Sequence, residues 1–149
     1  MGVKRLEDLH AYQLAVAFKL SVYRLVETHP RAAQDLRFVS QLFEAASGGE
    51  SNVAEGWVRF VPGEMAQFLR YARSSVGEAK RRVVDGIHRR YFTEEECKEA
   101  LTLGGRCGAA ITGLWKSTQN SPYRPKKRLP TGGRRSQPKD RMPPKDDAM

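Results

Sequence analysis

The chain has 149 residues, 40% of them hydrophobic and 29% charged, with a net charge of +9. That length allows one domain around one core, and no stretch approaches the ~20 apolar residues that a membrane-spanning helix requires. No long apolar run follows the N-terminal charges either, so the expectation is a cytoplasmic protein with no signal peptide and no membrane partner.

The first predicted helix runs from about Leu6 or Asp8 to Thr28, with Leu9, Tyr12, Val16, Leu20 and Tyr23 at spacings of three and four as its stripe. His29-Pro30 ends it, because the residue before proline avoids the helical region. The second runs from about Ala32 to Trp57, with Leu36, Val39, Leu42, Phe43, Ala46, Val53 and Trp57 as its apolar face. Ser47-Gly48-Gly49 interrupts it, at a cost of about 2 kcal/mol relative to alanines. The pair predicts a kink or a closely approaching neighbour. Gly56 suits the close of this helix.

Pro62 opens a third helix, where proline costs no donor, and Met65, Phe68, Leu69, Ala72, Val76, Ala79, Val83 and Ile87 carry it to about His88. Arg89-Arg90-Tyr91-Phe92 reads as a turn. Thr93 and Glu96 then form a capping box for a fourth helix, through Cys97, Leu101, Gly104, Gly108, Ile111 and Trp115 to about Thr118. Residues 121–149 hold six of the eight prolines and 9 Lys and Arg against 3 Asp and Glu, whereas residues 1–120 hold 17 against 14. Such a segment cannot bury enough surface to offset chain entropy, so residues 121–149 read as a disordered basic tail. Four helices joined by short connections predict an all-α fold, an antiparallel up-and-down four-helix bundle over residues 1–120.

One run stands out within the second helix: Ser51-Asn52-Val53-Ala54-Glu55-Gly56, followed by Arg59. It matches no catalytic signature. Asn52 and Glu55 are expected to satisfy backbone groups or an arginine, with Arg59, four residues on, as the ion partner of Glu55. This run resembles the SNIAEG hallmark of the bacterial 23S rRNA intervening-sequence protein family. Asp8-Leu9 with Tyr12-Gln13 and Ala15 is similar to that family's opening motif, as are Val22-Tyr23, Pro30, Gln41 with Ala45-Ala46, Glu64 with Phe68-Leu69, Ala72 and Ser75, and Tyr91-Phe92. Gly48-Gly49-Glu50 departs from it, standing where the family commonly has Ser-Ile-Pro. The resemblance, which covers roughly residues 6–118, implies a four-helix bundle that assembles as a ring-like homo-oligomer, a pentamer, and associates with RNA. A structurally similar group, the accessory variability determinants of diversity-generating retroelements, forms basic pentamers that bind a reverse transcriptase and its RNA, but the chain resembles the intervening-sequence group more closely.

The residues offer no catalytic constellation, so the expectation is a non-enzymatic protein without metal or cofactor. His10, His29 and His88 are scattered. Glu7-x-x-His10 has the spacing used in di-iron bundles, but a second copy is missing. Cys97 and Cys107 are separated by about 15 Å along one helix, beyond the roughly 7 Å that a disulfide bridges, and read as buried thiols. The candidate nucleic-acid surface is the third helix, where Arg70, Arg73, Lys80 and Arg81 fall largely on one side and Arg82, Arg89 and Arg90 extend the basic region. The tail cations Lys126, Lys127, Arg128, Arg134 and Arg135 would add non-specific attraction. Two partner classes follow: RNA, or a protein docked on the bundle as on a scaffold.

Overall fold

The computed structural model describes residues 2–59 and 61–120; the expected disordered tail lies outside the described residues. A 3-10 turn at Leu6–Asp8 leads into five helices: α1 (His10–Glu27), α2 (Pro30–Gln34), α3 (Leu36–Arg59), α4 (Pro62–His88) and α5 (Glu94–Gln119). The fold is all-α. The four long helices close a ring, α1 against α3, α3 against α4, α4 against α5 and α5 against α1. Each neighbouring pair runs antiparallel. Tyr12 of α1 meets Glu50 while Tyr23 meets Phe43, and Gly48 of α3 meets Ser75 while Gly56 meets Phe68. Arg70 of α4 meets Trp115 while Lys80 meets Gly104, and Gly104 of α5 meets Phe18 while Glu99 meets Arg24.

The predicted second helix is in fact two. Thr28 closes α1 through hydroxyl bonds to the Arg24 and Leu25 carbonyls, and Pro30 starts the short α2. Asp35 then breaks the path and caps α3, its Oδ1 accepting the Phe38 N–H at 3.1 Å. Aspartate in a turn offers its own side chain to the backbone, which permits a restart one residue after a stop. Beyond that point α3 runs unbroken through Gly48 and Gly49, and the close approach expected of the diglycine is present. A Cβ on Gly49 would lie 2.7 Å from Val76 Cγ2, and one on Gly48 would lie 2.7 Å from Ser75 Oγ.

α4 ends in a Schellman motif. The N–H of Tyr91 bonds the Gly86 carbonyl and that of Arg90 bonds the Ile87 carbonyl, both at 2.9 Å. Arg90 takes the left-handed position, with φ of 61°, where glycine is usual. Phe92 folds back over Gly86, whose missing Cβ makes room for the ring at 2.6 Å. The capping box then opens α5 as expected, with Thr93 N–H to Glu96 Oε1 at 3.0 Å and Glu96 N–H to Thr93 Oγ1 at 3.2 Å.

The core holds Phe18, Val22, Leu42, Val53, Leu69, Val76, Val83, Cys97, Cys107 and Ile111, all essentially without solvent contact. Each large apolar side chain so buried contributes roughly 1.5–3 kcal/mol. Two predicted stripes need correction. On α1 the buried face is Ala11, Leu14, Ala15, Phe18, Val22 and Leu25, while Leu20 is 44% exposed. α1 is apolar almost all round, and periodicity alone does not say which of two overlapping stripes faces inward. Likewise Leu36, at the first turn of α3, is 77% exposed and Phe38 takes the inward place.

One polar tie joins the α1–α2 corner to α5. His29 Nε2 bonds Glu96 Oε2, and Nδ1 faces the Leu25 carbonyl at 2.6 Å. With an acceptor on each ring nitrogen, the imidazolium fits this site best. Burial pulls the His29 pKa down, but the bonds to Glu96 and to Leu25 outweigh it and hold it above its ordinary 6.5. The His29 contact, followed by the Thr93 backbone and hydroxyl, lowers Glu96 from 4.5 to about 2.

This packing makes the glycines directly testable. Gly49→Ala gains about 1 kcal/mol of helix propensity but overpacks against Val76 at about 1–3 kcal/mol, so a net loss is expected in urea titrations. Gly113→Ala, with nothing within 4 Å, is expected to gain about 0.5–1 kcal/mol in the same titrations. For the His29 tie, the Glu96 contribution is complete above pH 4.5 and fades as pH falls towards 2, while the His29 contribution is complete below pH 6.5 and fades as pH rises through its raised pKa. Urea midpoints measured across that range should therefore decline on the alkaline side, and His29→Gln should flatten that decline.

Candidate functional site

α4 carries two sets of cations rather than one stripe. Towards α3, Arg82 bonds Glu78 at 2.9 Å and donates to Gln41 of α3 at 2.9 Å. Arg89 bonds Asp85 at 2.7 Å and approaches Asp35 at 3.7 Å. Asp35 also accepts from the Tyr91 hydroxyl at 2.6 Å, and that bond, then the Phe38 N–H, holds its carboxyl below the usual range. Arg90 serves as the left-handed cap, its carbonyl accepting from Arg31 at 3.3 Å. These three arginines fasten the α4–α5 turn and α4 itself to the α3 side of the bundle.

Towards α5 the arrangement differs. The Arg70 guanidinium lies 5.7 Å from the Trp115 ring centroid, a cation–π distance. Arg73 follows one turn on and, with Arg70, Leu69, Ile111, Thr112 and Trp115, lines a cavity of about 110 Å³ between α4 and α5. Lys80 lies across α5: its Cγ would be 2.8 Å from a Cβ on Gly104, and its Nζ 4.0 Å from one on Gly105. The glycines that weaken α5 intrinsically are the ledge that seats this lysine. Arg81 is exposed one turn beyond Gly77. Among the described residues none of Arg70, Arg73, Lys80, Arg81 and Lys116 forms an ion pair.

The reason lies in the spacing of acids. α5 contains no Asp or Glu from Ala100 to Asn120, and α4 contains none from Met65 to Gly77. Arg81 has Glu78 and Asp85 within a turn, but these carboxylates are bonded to Arg82 and Arg89. The cationic face ends where α5 begins, at a groove rimmed by Glu94 and Glu95. Sequence reasoning found the α4 members and missed Lys116, Thr112 and Trp115. The available signal was the long acid-free stretch of α5.

The Ser51–Gly56 run lies inside α3. Val53 and Gly56 point into the core, and a Cβ on Gly56 would be 3.1 Å from Phe68 Cβ. Gly56 therefore does not end the helix, which continues to Arg59. Ala54 is half-buried beside them. Asn52 Nδ2 donates to the Gly48 carbonyl at 2.8 Å and the Ser51 hydroxyl to the Ser47 carbonyl at 3.0 Å. Arg59 bonds Glu55 at 2.7 Å as expected, and its guanidinium also stands 5.3 Å from the Phe68 ring. Glu50, just before the run, ties α3 to α1, accepting from Tyr12 at 3.3 Å and from Lys19.

A family model for the 23S rRNA-intervening sequence protein matches residues 7–113, from the 3-10 turn through most of α5. The chain belongs to that family. Comparison with curated proteins and with solved structures found no significant match. The family's Ser51–Gly56 hallmark is thus a packing element of α3 against α4, and the departure at Gly48-Gly49 is helical and closely packed. Among the described residues no group of three or more His, Cys, Asp or Glu converges as a metal site, and no helix is long and apolar enough to cross a membrane.

Cys97 and Cys107 are free and buried, and burial pushes both thiols up to about 11. A thiol reacts as its thiolate, so both are expected to resist a disulfide reagent at about pH 8 in the folded protein and to react at once in denaturant. Rapid native labelling of either cysteine would show that its helix opens readily.

Proposed function

We propose that this member of the family is a non-enzymatic, cytoplasmic homo-oligomer that associates with RNA through the α4–α5 cationic face. The observation that supports it best is that Arg70, Arg73, Lys80, Arg81 and Lys116 stand without ion partners among the described residues, while Arg82 and Arg89 on the α3 side are paired with carboxylates. Keeping unpaired cations together costs self-repulsion, which a phosphate backbone relieves through counterion release. Arg70 is seated beside the Trp115 indole with Arg73 one turn on, a setting suited to both phosphate forks and base stacking. The family's name points the same way.

A homo-oligomeric ring would repeat this face and multiply its phosphate interactions through valency. The half-exposed apolar ridge of Tyr12, Val16, Leu20 and Tyr23 on α1 suits a subunit contact, and a pentamer is the form that the resemblance implies. The same ridge favours the second reading, a protein scaffold such as a reverse-transcriptase accessory protein, in which the bundle docks a protein and RNA plays no part.

Fluorescence anisotropy of a labelled single-stranded RNA across a salt series distinguishes these. The affinity should fall steeply with salt, and Arg70→Gln/Arg73→Gln/Arg81→Gln should reduce the log–log slope by about 2, at ~0.7 for each phosphate no longer neutralised. Arg37→Gln, an exposed cation of α3, should leave that slope in place. Absence of RNA binding, or binding indifferent to the triple variant, would count against the RNA reading.

A further inference from the structure

The Arg70–Arg73–Trp115 cavity has features that a general basic surface does not require. The polar residues that line it, Arg70, Arg73 and Thr112, all carry donors, and no carboxylate lines it.

The cavity is small, about 110 Å³. It has room for a few waters or for one tetrahedral oxyanion. The Arg70 guanidinium is steadied by its 5.7 Å approach to the Trp115 ring, so one of the two forks is held in place before any ligand arrives. Its walls come from the interior of α4 and α5, on rigid helices rather than loops.

We infer that this cavity is a seat for a single phosphate group, held by the Arg70 and Arg73 guanidiniums with the Thr112 hydroxyl as a further donor and the Trp115 ring as one wall. Its occupant in use is a phosphodiester of a bound polynucleotide, and that assignment rests on the RNA reading above. The seat fixes one phosphate in register on the bundle, while Lys80, Arg81 and Lys116 supply non-directional attraction. Arginine gives the bidentate geometry that a lysine in the same place does not.

The test is the ¹H–¹⁵N spectrum of the full chain, which shows one indole N–H for each of its two tryptophans, Trp57 and Trp115. Trp115→Phe assigns the peaks. Inorganic phosphate, and then a short oligouridylate, should each move the Trp115 indole peak much more than that of Trp57. Arg73→Gln should weaken both titrations about tenfold, and Arg73→Lys, which keeps the charge without the fork, should fall between. If the RNA binds by anisotropy yet the Trp115 peak stays still, the seat is refuted and the RNA reading stands. If phosphate moves the peak and no RNA binds, the seat stands and the RNA assignment fails. If neither ligand moves the peak and no RNA binds, both are overturned. Because the readout is a peak position in a folded spectrum, a variant that fails to fold is recognised directly, and the wild-type titrations still decide the outcome.

Discussion

The position of α4 depends on close approaches that tolerate no side chain. Gly48 and Gly49 of α3 lie so close to Ser75 and Val76 that any Cβ there would collide, and Gly56 repeats the approach near Phe68. On the other flank Gly104 of α5 leaves space for Lys80 and Phe18. Interiors packed to this density have discrete arrangements rather than a continuum. Held from both sides, α4 has one rotation about its axis. That rotation sends Arg82 and Arg89 to α3 and turns Arg70, Arg73 and Lys80 towards α5.

The charge pattern completes what the packing begins. Glu78 with Arg82, Asp85 with Arg89 and Glu55 with Arg59 are all pairs four residues apart, the spacing that meets on a helix surface. Arg70, Arg73, Lys80 and Lys116 have no acid three or four residues away. Surface pairs of this kind add little stability, so the division matters mainly for what remains unneutralised. Arg70, Arg73, Lys80 and Lys116 therefore gather unneutralised charge along α4 and α5, bordered by the acidic first turn of α5.

Much of this fold is legible in the sequence, and the failures have physical causes. Proline at position 62 and the Thr93–Glu96 box mark helix starts correctly, because these residues act on the backbone locally. The break at Asp35 escapes a periodicity reading because a turn of one residue leaves the hydrophobic period almost intact. The inward face of α1 is misjudged because its apolar residues nearly encircle it, and only the positions of α3 and α5 decide between the stripes. At the candidate site the α4 cations are visible, but their division is not: it requires knowing that Gln41 and Asp35 lie beside α4. Trp115 reads as one more core residue. Only three-dimensional structure reveals that its indole N–H is buried without a partner among the described residues.

The central claim, that RNA lies on the α4–α5 face, is tested most directly by ultraviolet crosslinking of bound RNA to the full chain, with the crosslinked peptides identified by mass spectrometry. The account predicts adducts concentrated on α4 and α5, around Tyr71, Trp115 and the residues flanking Lys80. Adducts confined to α1 and α3, or found only beyond residue 120, would contradict it.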